Sequence, residues 1–135
     1  MPVPDGAIRV PAALVAAILA HAAREAPREA CGLLVGVGPD VSRVVPTANA
    51  DASATRYTVP PEAHFAALRE ARGAGLEVVG AYHSHPRGAA VPSATDTAEA
   101  FPDFVFLIAG LAPEPHARAW RLVDGNFAEL RLVRT

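Results

Sequence analysis

Three short, continuous apolar runs constrain what this chain can become: Cys31-Gly32-Leu33-Leu34-Val35-Gly36-Val37, Val78 to Tyr82, and Phe104 to Ala109. Each has the length of a strand and is bounded by turn-forming or polar residues, the pattern of a strand buried on both faces. Such strands need cover, so they imply a sheet with helices packed against it. Two segments with helical spacing can supply that cover. After Pro11, residues Leu14, Val15, Ile18, Leu19 and Ala22 form one apolar stripe, and Pro27 bounds the helix. Pro60-Pro61 opens a second helix carrying Phe65 and Leu68, ended by Gly73 and Gly75.

Ala7 to Val10, Val41 to Val45 and Tyr57 to Val59 are shorter strand candidates, the last two separated by a polar loop. Ala117 to Val123 and Phe127 to Val133 flank Asp124-Gly125-Asn126, a hairpin signal. Strands and helices interleave without repeat, linker or composition shift. The expectation is therefore α/β: a mixed β-sheet flanked by helices, with a C-terminal β-hairpin, as one domain over residues 1–135.

Composition removes several function classes. At 135 residues, 51% hydrophobic and 19% charged, the chain can bury a core without disulfides or structural staples. A net charge of −2 gives no electrostatic case for nucleic acid or an anionic membrane. The single cysteine, Cys31, excludes an internal disulfide and suits a reducing compartment. Met1-Pro2-Val3-Pro4-Asp5 lacks a basic segment followed by an apolar run, and no apolar stretch approaches the ~20 residues of a membrane span. A cytoplasmic protein is expected.

The chemistry gathers where the second apolar run ends, in His83-Ser84-His85-Pro86. Strand side chains alternate, so His83 and His85 point one way and Ser84 the other. Their backbones stand roughly 6.5–7 Å apart, close enough for both imidazoles to reach one zinc. Pro86 ends the strand, and a Gly/Ala/Pro loop leads to Ser93-Ala94-Thr95-Asp96, the form of a helix start continued by Thr97 to Phe101. Asp96 falls in that first turn, where the helix dipole favours a carboxylate. Two histidines and an aspartate leave a fourth metal position for water, as in catalytic rather than structural sites.

His-x-His, seven residues, Ser, two residues, Asp is the signature of the JAMM (MPN+) metalloproteases, and this sequence resembles that family without a gap. A second match lies upstream. Pro27-Arg28-Glu29-Ala30-Cys31-Gly32-Leu33-Leu34 is similar to the glutamate segment of the family's small, stand-alone prokaryotic members. The resemblance covers about Val10 to Phe106. It implies a cytidine-deaminase-like fold and Zn2+ held by His83, His85 and Asp96. It further implies Glu29 as the base that takes a proton from a water on the metal and returns it to the leaving amine. Ser93 would hydrogen-bond the water or the developing oxyanion. The implied substrate is the C-terminal Gly-Gly tail of a ubiquitin-like or sulfur-carrier protein, held as an added strand. Self-association into a homodimer stays open.

Competing families fit worse. His-Glu-x-x-His is absent, one cysteine cannot supply the Pro-Cys-x-x-Cys of nucleobase deaminases, and a TIM barrel needs roughly 250 residues. A metal-free scaffold or dimerisation module, and hydrolysis of a small-molecule amide, remain as alternatives. Plainer readings stand beside the functional ones. Ser93 also suits a helix N-cap, worth ~1 kcal/mol, and Cys31 a buried small hydrophobe. His21, His64 and His116 are read as surface or helix-terminal, Arg87 as a solvated loop residue, and Trp120 as core or interface.

Overall fold

The three apolar runs lie side by side in the middle of one sheet. The computed structural model describes residues 6–99 and 103–135. In chain order the elements are β1 (Ala7–Val10), α1 (Ala12–Glu25), β2 (Cys31–Val37), β3 (Asp40–Thr47), α2 (Pro61–Gly73), β4 (Glu77–His85), α3 (Ala94–Glu99), β5 (Val105–Gly110), β6 (His116–Val123) and β7 (Asn126–Arg134). The strand order is β1-β3-β2-β4-β5-β6-β7. β2 runs antiparallel to β3 and β4, β4 and β5 are parallel, and β5, β6 and β7 are antiparallel neighbours. The mixed sheet is thus as expected. Its closure is a finding beyond the sequence reading: β1 pairs in parallel with β7 from Ala7↔Arg131 to Val10↔Arg134 and meets β3 at Arg9↔Asp40, closing a barrel.

Strand alternation divides the buried residues between two helices. Leu34, Tyr82 and Leu107 join Val15, Ile18 and Ala22 of α1, each almost wholly buried. Burial of a Val, Ile or Leu side chain stabilises by roughly 1.5–3 kcal/mol, so this stripe anchors α1. Leu33, Ala81 and Phe106 face the other way and pack with Ala67 of α2. Here the sequence expectation needs correction. α2 buries Ala67 and Ala71, whereas Phe65 is 61% and Leu68 40% exposed. Residues advance about 100° each around a helix, so Phe65 lies about 200° from Ala67 and cannot share its face.

Tyr57 to Val59 is not a strand. Asn49 takes the backbone groups a strand would have used, accepting N–H bonds from Asp51 and Thr58 and donating to the carbonyls of Glu29 and Arg56. A side-chain amide with all four partners competes directly with ladder pairing. The hairpin turn is two residues, not three. Asp124 and Gly125 have φ of 50° and 82°, and Val123 pairs with Asn126, the arrangement of a type I′ turn. The expected helix after Ser93 is present as α3, but residues 100 and 101 of its expected extent lie outside the described residues. Among the described residues no helix is long and apolar enough to cross a membrane.

One close approach gives a direct test of this packing. A methyl group on Gly80 would overlap the carbonyl oxygen of Val105, which belongs to the neighbouring parallel strand and cannot turn aside. Gly80→Ala is expected to cost about 1–3 kcal/mol in denaturant unfolding. An unchanged midpoint would mean that β4 and β5 do not approach this closely.

Candidate functional site

Parallel strands cannot be joined by a tight turn and need a crossover of a dozen or more residues. Between β4 and β5 that crossover is residues 86–104, and it carries α3 back across the end of β4. His83 sits opposite Cys31 on one neighbouring strand and Ile108 on the other, 1% exposed, with the Tyr57 ring stacked on it at 4.4 Å. His85, on the same face, lies at the strand end and is half-buried.

The start of α3 delivers the third group. Ser93 Oγ accepts the Asp96 N–H at 3.1 Å, and the Ser93 N–H donates to Asp96 Oδ2 at 2.9 Å. This reciprocal capping box fixes the carboxylate. The same Oδ2 lies 3.1 Å from His83 Nε2 and 3.0 Å from His85 Nε2. Three ligands at about 2.0–2.2 Å from one tetrahedral ion would be roughly 3.3–3.5 Å apart, close to this spacing.

The donor set fits a metal ion on chemical grounds as well. His85 Nδ1–H donates to the Ala89 carbonyl at 2.9 Å, which leaves Nε2 a lone pair. His83 is buried, and among the described residues neither ring nitrogen is in a hydrogen bond, although Asp96 is near. With both Nε2 atoms unprotonated, two imidazole lone pairs and a carboxylate converge out of solvent, a set of acceptors that a cation would satisfy. The electrostatics run the same way. Burial lowers His83 below its ordinary pKa, against the pull of Asp96. Burial would also lower His85, but Asp96 and the Ala89 carbonyl outweigh it and raise that ring. Burial would raise Asp96, yet the two histidines and the Ser93 N–H hold its carboxyl far below the usual range.

Glu29 precedes β2 by two residues, so continuing the Cys31↔His83 register sets it alongside His85. It is 2% exposed, and its Oε1 makes no hydrogen bond among the described residues. Burial pushes its pKa up to about 7, with His85 pulling down and Asp96 pushing further up. The backbone here is pinned from several sides. The Glu29 N–H donates to the Ser53 carbonyl, Asn49 donates to the Glu29 carbonyl, and the Ala30 N–H donates to buried Ser84 Oγ at 2.8 Å. Glu29, His85, Ser93 and exposed Arg87 line an open cleft of about 380 Å³. Cys31 is fully buried against Thr47, as a small core residue, and burial raises its thiol pKa.

Four residues have contacts that their sequence positions do not show. His21 is buried in α1 rather than on the surface, its Nδ1 2.7 Å from the hydroxyl of Tyr82. His116 begins β6 and bonds the backbone of Ala90, and Trp120 bonds the same residue. Asn49 organises the loop beside Glu29. Each of these contacts joins residues far apart in the chain or outside regular structure, where periodicity gives no signal. His64 behaves differently again. It helps line an apolar cavity of about 310 Å³, with Tyr57, Val59, Phe65, Phe104 and Phe106, next to His83.

Comparison with known proteins adds an independent line. The family model for prokaryotic homologs of the JAB domain matches residues 11–123. A probable TtuB-protein conjugate cleaving protease of Thermus thermophilus is 42% identical over 125 residues, covering 92% of this chain and 80% of that protein. A desampylase of Haloferax volcanii is 36% identical, covering 86% and 88%. A CysO-cysteine peptidase of Mycobacterium tuberculosis is 38% identical, covering 86% and 83%. Among solved structures, a protein from Desulfitobacterium hafniense superposes with a TM-score of 0.86 at 34% identity, over 95% of this chain and 92% of that one. A JAB1/MPN domain protein from Archaeoglobus fulgidus gives 0.62 at 21% identity, over 94% and 98%, and shows the shared fold.

Proposed function

Because this chain belongs to the family of prokaryotic homologs of the JAB domain, we propose that it is a cytoplasmic zinc peptidase or isopeptidase. Its substrate is the amide bond that follows the C-terminal Gly-Gly of a ubiquitin-like or sulfur-carrier protein. The observation that carries this reading is the convergence of His83, His85 and Asp96 on one point, beside a buried glutamate and an open cleft. Relatives named for TtuB-protein conjugates, desampylation and CysO-cysteine support the substrate class.

His83 Nε2, His85 Nε2 and Asp96 Oδ2 would hold the zinc. When bound, zinc supplies Lewis acidity, which polarises a carbonyl and brings the pKa of a water to about 7. The remaining work falls to the chain. Glu29 accepts the proton of the attacking water and donates it to the leaving nitrogen as the C–N bond breaks, and the burial that raises its pKa favours its holding that proton between the two steps. Ser93 Oγ accepts the Asp96 N–H, and a hydroxyl in that state can still donate to the oxygen that gains charge. The apolar cavity beside Tyr57 offers room for an apolar side chain of the extended tail.

The test is incubation of the zinc-loaded protein with ubiquitin-like sulfur carriers bearing C-terminal extensions, followed by intact mass. Cleavage directly after Gly-Gly is expected, and it should disappear with chelator and with Glu29→Ala. Zinc binding without cleavage of any carrier would refute the substrate. Absence of both would make the domain a scaffold.

A further inference from the structure

The loop that follows His85 is tied down by two side chains from β6. His116 Nε2 accepts the Ala90 N–H at 3.0 Å, and Trp120 Nε1–H donates to the Ala90 carbonyl at 3.0 Å. Ala90 is fully buried, so side chains satisfy both of its backbone polar groups. The tautomer of His116 is fixed in turn, because its Nδ1–H donates to the Glu114 carbonyl at 2.7 Å and leaves Nε2 the acceptor. Gly110 of β5 lets the loop seat this closely: a Cβ there would fall 2.5 Å from Ala90 N and 2.7 Å from Ala89 C. Backbone bonds from Leu111 to the His85 carbonyl and from Ala112 to the Gly88 carbonyl close the same seam.

The residue joined to Ala90 by its N–H is Ala89, and the Ala89 carbonyl is the acceptor for His85 Nδ1–H at 2.9 Å. A single planar peptide group therefore spans the two histidines. Its oxygen accepts the hydrogen bond of His85 Nδ1–H, and its N–H donates to His116. Because the peptide is planar, the orientation of one end fixes the other. We propose that His116 and Trp120 are positioning residues for His85: His116 holds the Ala89–Ala90 peptide and Trp120 the carbonyl that follows it, so that the Ala89 carbonyl keeps the His85 proton on Nδ1 and aims Nε2 at Asp96 and His83. The proposal deepens the zinc reading and rests on it for its consequence, since that nitrogen is the one assigned to the metal. A group bonded directly to a ligating histidine, as the Ala89 carbonyl is to His85, typically governs affinity by about 10–100-fold, which sets the upper end of what loosening it can cost.

The experiment uses the full chain and two readouts: zinc affinity by chelator competition, and the imidazole Nδ1–H signal of His85 in nitrogen-edited NMR. His116→Phe keeps a ring but offers no acceptor, and is expected to weaken zinc binding by up to about 10–100-fold and to lose or shift the His85 signal. His116→Gln, whose amide oxygen can accept the Ala90 N–H, should restore most of both. Trp120→Phe removes only a donor and should move both in the same direction by less. If His116→Phe does not fold, Trp120→Phe carries the test. Unchanged affinity with an unchanged His85 signal in either ring variant would overturn the proposal, as would weakened affinity with the signal unmoved. A wild-type protein that binds no zinc would refute the metal reading instead, while the His85 signal would still decide whether the peptide bridge operates.

Discussion

Glu29→Gln is expected to lower kcat/KM by about 10²–10⁴-fold, the usual worth of a positioned general base, while zinc stays bound. It should also make the metal-free protein more stable above pH 7. The two effects share one cause. Glu29 is buried, its Oε1 has no hydrogen-bond partner among the described residues, and its pKa rises from an ordinary 4.5 to about 7. In that window the folded chain holds a proton that the unfolded chain releases. Stability therefore falls as pH climbs from about 4.5 to about 7, and the whole penalty is present above 7. Glutamine cannot ionise, so the variant escapes it. Below about 4.5 both proteins carry a neutral side chain and the advantage should vanish. With zinc bound, the cation favours the carboxylate and the difference should shrink. Thermal midpoints against pH, with chelator and with zinc, give the stability arm, and steady-state kinetics with metal content the other. A variant that kept a tenth of the activity with its zinc bound would remove Glu29 from the role of base.

Much of this fold was legible because the chain states it locally. The apolar runs at Cys31–Val37 and Val105–Gly110 need no context to read as buried strands, and α1 follows its stripe from Val15 to Ala22. The closure of the sheet was not legible. It depends on β1 reaching β7, at opposite ends of the sequence, and a four-residue strand carries no mark of its partner. Tyr57 to Val59 has strand composition, yet Asn49 outcompetes the ladder for its backbone. No pattern in the sequence links an asparagine to the N–H of a threonine nine residues on. Phe65 and Leu68 misled for a related reason. Helix α2 meets the sheet through alanines, and hydrophobicity alone does not say which stripe is turned inward.

The centre itself was legible to a greater depth than its supports. His83, His85, Ser93 and Asp96 fall within one strand, one loop and one helix start, so fixed spacing carries them. Glu29 lies far upstream, and only resemblance to a family motif ties it to the rest. The groups that hold the centre in shape come from elsewhere: Ser84 on the opposite face of β4, Asn49 in a loop, and His116 and Trp120 on β6. Each acts on backbone rather than on another side chain. A contact to an N–H or C=O places no demand on the identity of its partner residue, so the sequence holds no trace of it.

Asp96 is where capping and ligation share one atom, and two substitutions should separate them. Asp96→Ala and Asp96→Asn are both expected to weaken zinc binding by more than the about 10–100-fold that an outer partner costs, and to abolish activity with it. Oδ2 is the oxygen that both histidines approach, at 3.0–3.1 Å, and it also accepts the Ser93 N–H. Alanine removes the ligand and leaves that N–H without its acceptor, whereas asparagine keeps an acceptor for the cap. Metal-free Asp96→Ala should therefore be less stable than Asp96→Asn by about 1 kcal/mol, the scale of a helix cap. Ser93 Oγ still accepts the residue-96 N–H in both. The measurement is the thermal midpoint with chelator and with excess zinc. Zinc at about a hundred times its dissociation constant stabilises by ~2.7 kcal/mol, so wild type should gain several degrees and neither variant should. A zinc-dependent gain in Asp96→Asn equal to that of wild type would show that the charge of Asp96 is not needed at the centre, and would leave it a helix cap.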